Sequence, residues 1–221
     1  MEFLQGLIHH FINSAPIFID AAGLTFRLTL TALFFGVFIG LFFAFLKISK
    51  RKYLNVIADA YITVIRGTPL IVQIFWIYFG ITGLFTFEAF WAASIALAVH
   101  NGAYIAEIFR AGIQSIDRGQ MEAARSLGMS YQLAMRRIIL PQAFRRVIPP
   151  LGNQFIIGLK DSSLAAFVTM PELFQIAMRR AAATCADLEY YTIAGFYYLF
   201  MVIVFSYLVN KLEKRLEAGR E

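Results

Sequence analysis

The chain has 221 residues, 59% of them hydrophobic, with a mean hydropathy of +0.66. Several apolar runs approach the length needed to cross about 30 Å of hydrocarbon, which excludes an ordinary soluble domain and predicts an all-α, polytopic membrane protein. The formal charge of +6 invites a nucleic-acid reading until the basic residues are placed by loop, and the single cysteine, Cys185, excludes an intrachain disulfide.

Residues 1 to 22 hold no Lys or Arg, and Pro16 and Asp20 interrupt their apolar run. Nothing there resembles a cleavable signal, and the stretch reads as an interfacial segment. His9 and His10 lack further ligands nearby, so no metal site is expected. The first span runs from Leu28 to Leu46, with Gly36 and Gly40 spaced to admit another helix closely. Lys47, Lys50, Arg51 and Lys52 then make a basic turn. The second span, about Leu54 to Leu84, holds Asp59, Arg66 and Pro69, and the proline predicts a kink or break near Arg66 to Thr68. The third, about Ala89 to Phe109, carries His100, Asn101 and Gly102 near its middle and Glu107 near its end. After a polar island at about 111–141, the fourth span begins near Val147, is interrupted by Lys160-Asp161-Ser162-Ser163 and resumes to Met170. Pro171 to Glu189 form a polar connection, Tyr190 to Asn210 a fifth span, and Lys211 to Arg215 a basic tail.

The island predicts two small helices with an elbow. Asp117 is suited to cap a helix over Arg118 to Leu127, with Gln120 returning a hydrogen bond to close a capping box. Gly128 falls where a left-handed residue ends a helix. Ser130 is suited to cap the second helix, and Pro141 is expected to end it by pushing Leu140 out of the α region.

At these residues the sequence resembles the membrane-spanning subunits of bacterial ATP-binding-cassette importers, whose cytoplasmic loop follows E-A-A-x3-G-x9-I-x-L-P. Glu122, Ala123, Ala124, Gly128, Ile138, Leu140 and Pro141 fill every fixed position. Arg66-Gly67-Thr68-Pro69, Asn101-Gly102-Ala103-Tyr104-Ile105-Ala106-Glu107 and Leu151-Gly152-Asn153-Gln154 are similar to the polar amino-acid uptake branch, so the likeness covers roughly residues 20 to 212. The resemblance implies one permease domain over residues 1–221, in a bacterial inner membrane. It implies a coupling loop that seats in a cleft of an ATPase subunit, with Glu122, Ala123, Ala124, Gly128, Leu140 and Pro141 as coupling positions. A competing use of the loop, an amphipathic helix lying on lipid, has no need of the elbow.

The chain has no Gly-x4-Gly-Lys-Ser/Thr loop, so ATP is expected on a partner and no cofactor here. The implied partners are that ATPase, an extracytoplasmic solute-binding protein, the bilayer and a second five-span permease, identical or not. The alternatives are an ATP-independent channel and an intramembrane hydrolase. For the latter, Ser162 and Ser163 lack a Gly-x-Ser-x-Gly setting and three histidines lie in two separate places. No catalytic residue or metal site is expected.

Orientation follows from basic residues by side. The 47–52 turn, the 110–146 loop and the tail hold fifteen of the twenty. The coupling loop and C-terminus are therefore cytoplasmic and the N-terminus outside, and insertion rather than nucleic acid accounts for the charge.

A lone charge at the centre of a span costs about 2.5–3.5 kcal/mol, so such residues tend to pair or to line a water-filled path. At about 1.5 Å per residue, Arg66 and Lys160 lie roughly 20 Å from the cytoplasmic start of their spans, with Asn101 at similar depth. These residues are expected to converge on a substrate. Lys160 or Arg66 suits the carboxylate of a zwitterionic amino acid and Asp161 or Glu107 its ammonium, while Asn101, Ser162 and Ser163 add hydrogen bonds. The competing readings are that Lys160, Asp161 and Arg66 neutralise one another or close a gate, and that Glu107 pairs with Arg110.

Overall fold

Where no water reaches the backbone, a spanning segment closes its own hydrogen bonds, and the chain does so as helices almost end to end. The computed structural model describes residues 2–218. Arg220, counted in the basic tail, lies outside them. The elements are α1 (Glu2–Ile48), α2 (Lys52–Gly67), α3 (Leu70–Phe75, continued by a π-helical turn Trp76–Gly80) and α4 (Ala89–Gln114). Then come α5 (Arg118–Ser126), α6 (Tyr131–Ala134), a π-turn Met135–Ile139, and α7 (Leu140–Asp161) with a 3-10 extension Ser162–Val168. The chain ends with α8 (Leu173–Thr184) and α9 (Asp187–Ala218).

Among the described residues, α1, α4 and α9 are each long and apolar enough to cross a membrane, and the bent pair α2–α3 makes up to four. The expected fourth span corresponds to α7 plus its extension, which does not reach that standard. It carries Arg145, Arg146, Lys160 and Asp161 and two internal prolines, Pro149 and Pro150.

The N-terminal segment is not a separate interfacial element. It is continuous with the first span, giving a 47-residue helix about 70 Å long at the usual rise. Packing overrides Pro16 and Asp20. Phe18 is fully buried and stacks on Tyr190 and Tyr197 of α9, with ring centroids 6.4 and 5.5 Å away. His10 Nδ1 meets the Tyr190 hydroxyl at 3.1 Å.

The other half of α1 packs on α4. A Cβ at Gly40 would come within 2.5 Å of Ile105, as the Gly36–Gly40 spacing predicts, and one at Gly102 within 2.7 Å of Ile39, so each glycine admits the other helix.

The predicted break at Pro69 is a bend of 103° between α2 and α3. Its freed carbonyls are satisfied from within. The Gln73 amide nitrogen donates to Ile65 O at 2.8 Å, with Thr68 O and Thr68 Oγ1 at 3.1 and 2.8 Å. Gln73 Oε1 faces His100 Nδ1 of α4 at 3.1 Å, and the Tyr61 hydroxyl donates to Val99 O at 2.6 Å.

Candidate functional site

The loop between α4 and α7 forms by local rules. Asp117 caps α5 by accepting from Gly119 N at 2.7 Å, and Ser130 caps α6 by accepting from Leu133 N at 3.2 Å. Gly128 has φ +82°. Around it Met129 N bonds Ala124 O at 3.1 Å and Gly128 N bonds Arg125 O at 3.0 Å, the pair of bonds that defines a Schellman ending. Two local expectations fail. The Gln120 side chain takes a hydrogen bond from Gln142 Nε2 at 3.4 Å instead of returning to Asp117. Pro141 does not end a helix, because Leu140 stays α-helical and Pro141 sits in the first turn of α7. A proline in a first turn lacks only an N–H that would have no intrahelical partner, and the π-turn just before it resets the hydrogen-bond register.

The coupling positions face different ways. Glu122, Ala123, Gly128 and Pro141 are exposed, Leu140 is half-buried, and Ala124 is buried. Sequence reading missed Leu127, which is 81% exposed at the elbow. So displayed, its side chain is free to contact a partner. Its signal was an apolar residue between Ser126 and Gly128, where a helix ends.

The mid-span candidates fall into two groups. Arg66, Tyr104, Glu107, Arg110, Arg146 and Gln154 help line a cavity of about 550 Å³ between α2, α4 and α7. There the Arg66 guanidinium lies 4.9 Å from the centre of the Tyr104 ring, a cation–π arrangement. Glu107 is held by Arg110 through Nη2 at 2.6 Å and Nε at 3.0 Å, the pairing weighed from the sequence. Behind this cavity Asn101, buried on α4, accepts from Gln154 Nε2 at 2.8 Å, and a Cβ at Gly158 would lie 3.4 Å from its amide nitrogen.

Lys160 and Ser163 instead line a second cavity of about 320 Å³ with Phe174, Tyr191 and Tyr198. Ser162 is buried with its hydroxyl on Leu159 O at 2.7 Å, Ser163 donates to Lys160 O at 2.7 Å, and Asp161 is half-buried. Among the described residues no salt bridge joins Lys160, Asp161 and Arg66 to one another. Equal depth along separate helices did not amount to one shared cavity.

Beside the second cavity stands a residue that sequence reading also missed. Glu172 is fully buried and caps α8, accepting from Phe174 N at 3.0 Å, Gln175 N at 2.7 Å and the Tyr198 hydroxyl of α9. Leu173 N next to it donates to Thr25 Oγ1 of α1 at 3.2 Å. One carboxylate thus ties the connection after α7 to α9, beside a bond to α1. Burial pushes the Glu172 carboxyl up to about 7, although its three donors pull the other way. An acid just before an apolar helical run was the available signal. The preceding turn is strained, since Thr169, a β-branched residue, sits at φ 62°.

Comparison with known proteins fits this architecture. Residues 36–218 match the family described as the binding-protein-dependent transport system inner membrane component. The arginine transport system permease protein ArtQ of Bacillus subtilis (strain 168) is 34% identical over 210 residues, covering 94% of this chain and 96% of ArtQ. The glutamine transport system permease protein GlnP of Escherichia coli (strain K12) is 37% identical over 205 residues, covering 91% and 94%. A crystal structure of an amino acid ABC transporter with histidines has a chain 42% identical, with a TM-score of 0.88 over 93% of this chain and 96% of that one.

Proposed function

The chain belongs to the family of binding-protein-dependent transport system inner membrane components, and on that premise we propose that it is the permease subunit of an ATP-driven importer carrying a polar amino acid into the cytoplasm. The observation that carries the coupling is the elbow. Two capped helices meet at Gly128 and present Leu127, Glu122 and Ala123 outward on a short rigid projection. That shape suits insertion into a cleft of a separate ATPase, and the chain's lack of a phosphate-cradling glycine loop fits the same division of labour. The similarities give no support to an ATP-independent channel or an intramembrane hydrolase.

In this reading the protein crosses the membrane five times, with α7 and its extension as the fourth crossing. The coupling loop and C-terminus are cytoplasmic and the N-terminus outside. A solute-binding protein delivers cargo from the outer face, and a second permease, the same chain or a sister, completes the path. Glu107 and Arg66 act from the cavity between α2, α4 and α7, with Asn101 behind it holding the lining residue Gln154, while Lys160, Asp161, Ser162 and Ser163 act from the break after α7. The two groups are successive contacts for one zwitterion.

Co-purification of the full chain with an ATPase subunit tests the division of labour, and a permease that transports alone refutes it. Cys185, exposed and the only cysteine in the sequence, tests orientation. A membrane-impermeant maleimide should label it in intact spheroplasts, and labelling only after permeabilisation reverses the topology.

A further inference from the structure

At the end of α1 a cleft of about 500 Å³ opens between the basic turn, the end of α4 and the segment that follows Gly128. Phe45 and Ile48 of α1, Ile113 of α4, Met135 of the π-turn and Leu140 of α7 give it apolar walls. Phe45 and Tyr131 at its edge are 56% and 47% exposed. Lys50 stands at the mouth with its ammonium 5.6 Å from the centre of the Tyr131 ring. No carboxylate lines the cleft. Among the described residues Lys50 has no salt bridge, whereas the nearby Lys47 is paired with Asp59. Arg51 and Lys52, which follow Lys50 in the chain, and Arg136 and Arg137, which follow Met135, are exposed. The result is an apolar slot whose one charged lining residue is Lys50, at the end of the long apolar helix α1.

We propose that this cleft binds an anionic phospholipid of the cytoplasmic leaflet, its phosphate on Lys50 and one acyl chain along Phe45, Ile48 and Met135. Charge complementarity selects the occupant. A purely apolar groove takes any lipid, but Lys50 at the mouth attracts a negative headgroup, and the lining offers a zwitterionic one no acidic partner for its ammonium. The bound lipid touches Tyr131 and Met135, so it buttresses the second arm of the elbow and makes coupling sensitive to lipid composition. The leaflet assignment rests on the orientation proposed above, whereas the binding itself does not.

The test uses the assembled transporter in nanodiscs of phosphatidylcholine mixed with phosphatidylglycerol, with retained lipids read by native mass spectrometry. Both faces of such a disc carry both lipids, so an inverted topology leaves this measurement unchanged and is detected separately at Cys185. Wild type should retain phosphatidylglycerol in preference to phosphatidylcholine. Lys50→Gln should weaken that retention about fivefold, the worth of one basic residue at an anionic surface, and Lys50→Arg should restore it. Ile113→Trp, which fills the slot, should abolish retention at this site; if that variant fails to assemble, the Lys50 pair decides alone. Equal retention of the two lipids by wild type overturns the proposal. So does unchanged phosphatidylglycerol retention in Lys50→Gln, or a photo-crosslinker at Phe45 that captures the ATPase instead of lipid.

Discussion

Gly128 offers a test of coupling that leaves the helical bundle alone. Its φ of +82° is a conformation an L side chain adopts at a cost, and a Cβ there meets nothing within 4 Å. Any penalty is therefore backbone strain and not a clash. Placing an ordinary L-residue in the left-handed region costs roughly 1–2 kcal/mol, with asparagine the least affected and β-branched residues the most. That energy corresponds to about a 5- to 30-fold change in the population of the strained geometry. The two bonds that close the turn, Met129 N to Ala124 O and Gly128 N to Arg125 O, are lost with it. Measured as ATP hydrolysis stimulated by the solute-binding protein in proteoliposomes, activity should fall in the order Gly, Asn, Ala, Val at position 128. Gly128→Val should abolish stimulated hydrolysis and uptake while inserting normally and leaving the thermal unfolding midpoint of the bundle unchanged. Normal transport by Gly128→Val, or an Asn variant as damaged as Val, refutes the elbow.

Glu122→Lys should break assembly with the ATPase and be rescued by a compensating charge change on that subunit; loss of α5 helicity with assembly intact would reduce Glu122, which lies beyond the first turn of α5, to a residue that only supports that helix. Asp161→Asn and Asn101→Ala should lose uptake while keeping assembly and basal hydrolysis, and an unchanged concentration dependence in both removes them from the transport path. Glu172 should make stability fall with rising pH. Its folded pKa of about 7 lies above the ordinary 4.5, so its contribution is complete below the lower value and is lost as pH rises through the higher. The difference amounts to about 3 kcal/mol at 1.36 kcal/mol per unit. Unfolding midpoints of wild type and Glu172→Gln followed from pH 4 to 8 check this, and an equally steep decline in the variant assigns the dependence elsewhere.

What the sequence discloses follows from the range of each interaction. The elbow was legible because Asp117, Gly128 and Ser130 act on backbone groups two or three residues away. The break at Pro69 was legible for the same reason. Pro141 was misread because the rule for the residue before proline sees one neighbour, whereas the π-turn from Met135 to Ile139 alters the helix before the proline arrives. The length of α1 was hidden by Pro16 and Asp20, since the aromatic contacts of Phe18 come from α9, more than 170 residues on. The Thr25–Leu173 bond spans 148 residues and belongs to no motif. Depth counted along a continuous span missed that Arg66 and Lys160 lie in the last turns of α2 and α7, and it carries no information about azimuth. Arg66 and Lys160 consequently face different cavities.

The bend between α2 and α3 bears on how the protein is made. With 16 and 11 residues, the two arms measure about 24 and 16 Å at 1.5 Å per residue, each short of the roughly 30 Å that a self-sufficient crossing requires. The pieces that hold them in place, Val99 and His100, are synthesised later, on α4. Until α4 is made, the buried Gln73 lacks the histidine it faces in the finished fold. The placement of this bent pair should therefore depend on α4, so a chain truncated after Gly80 should leave it accessible to the aqueous side and one extending past Gln114 should not.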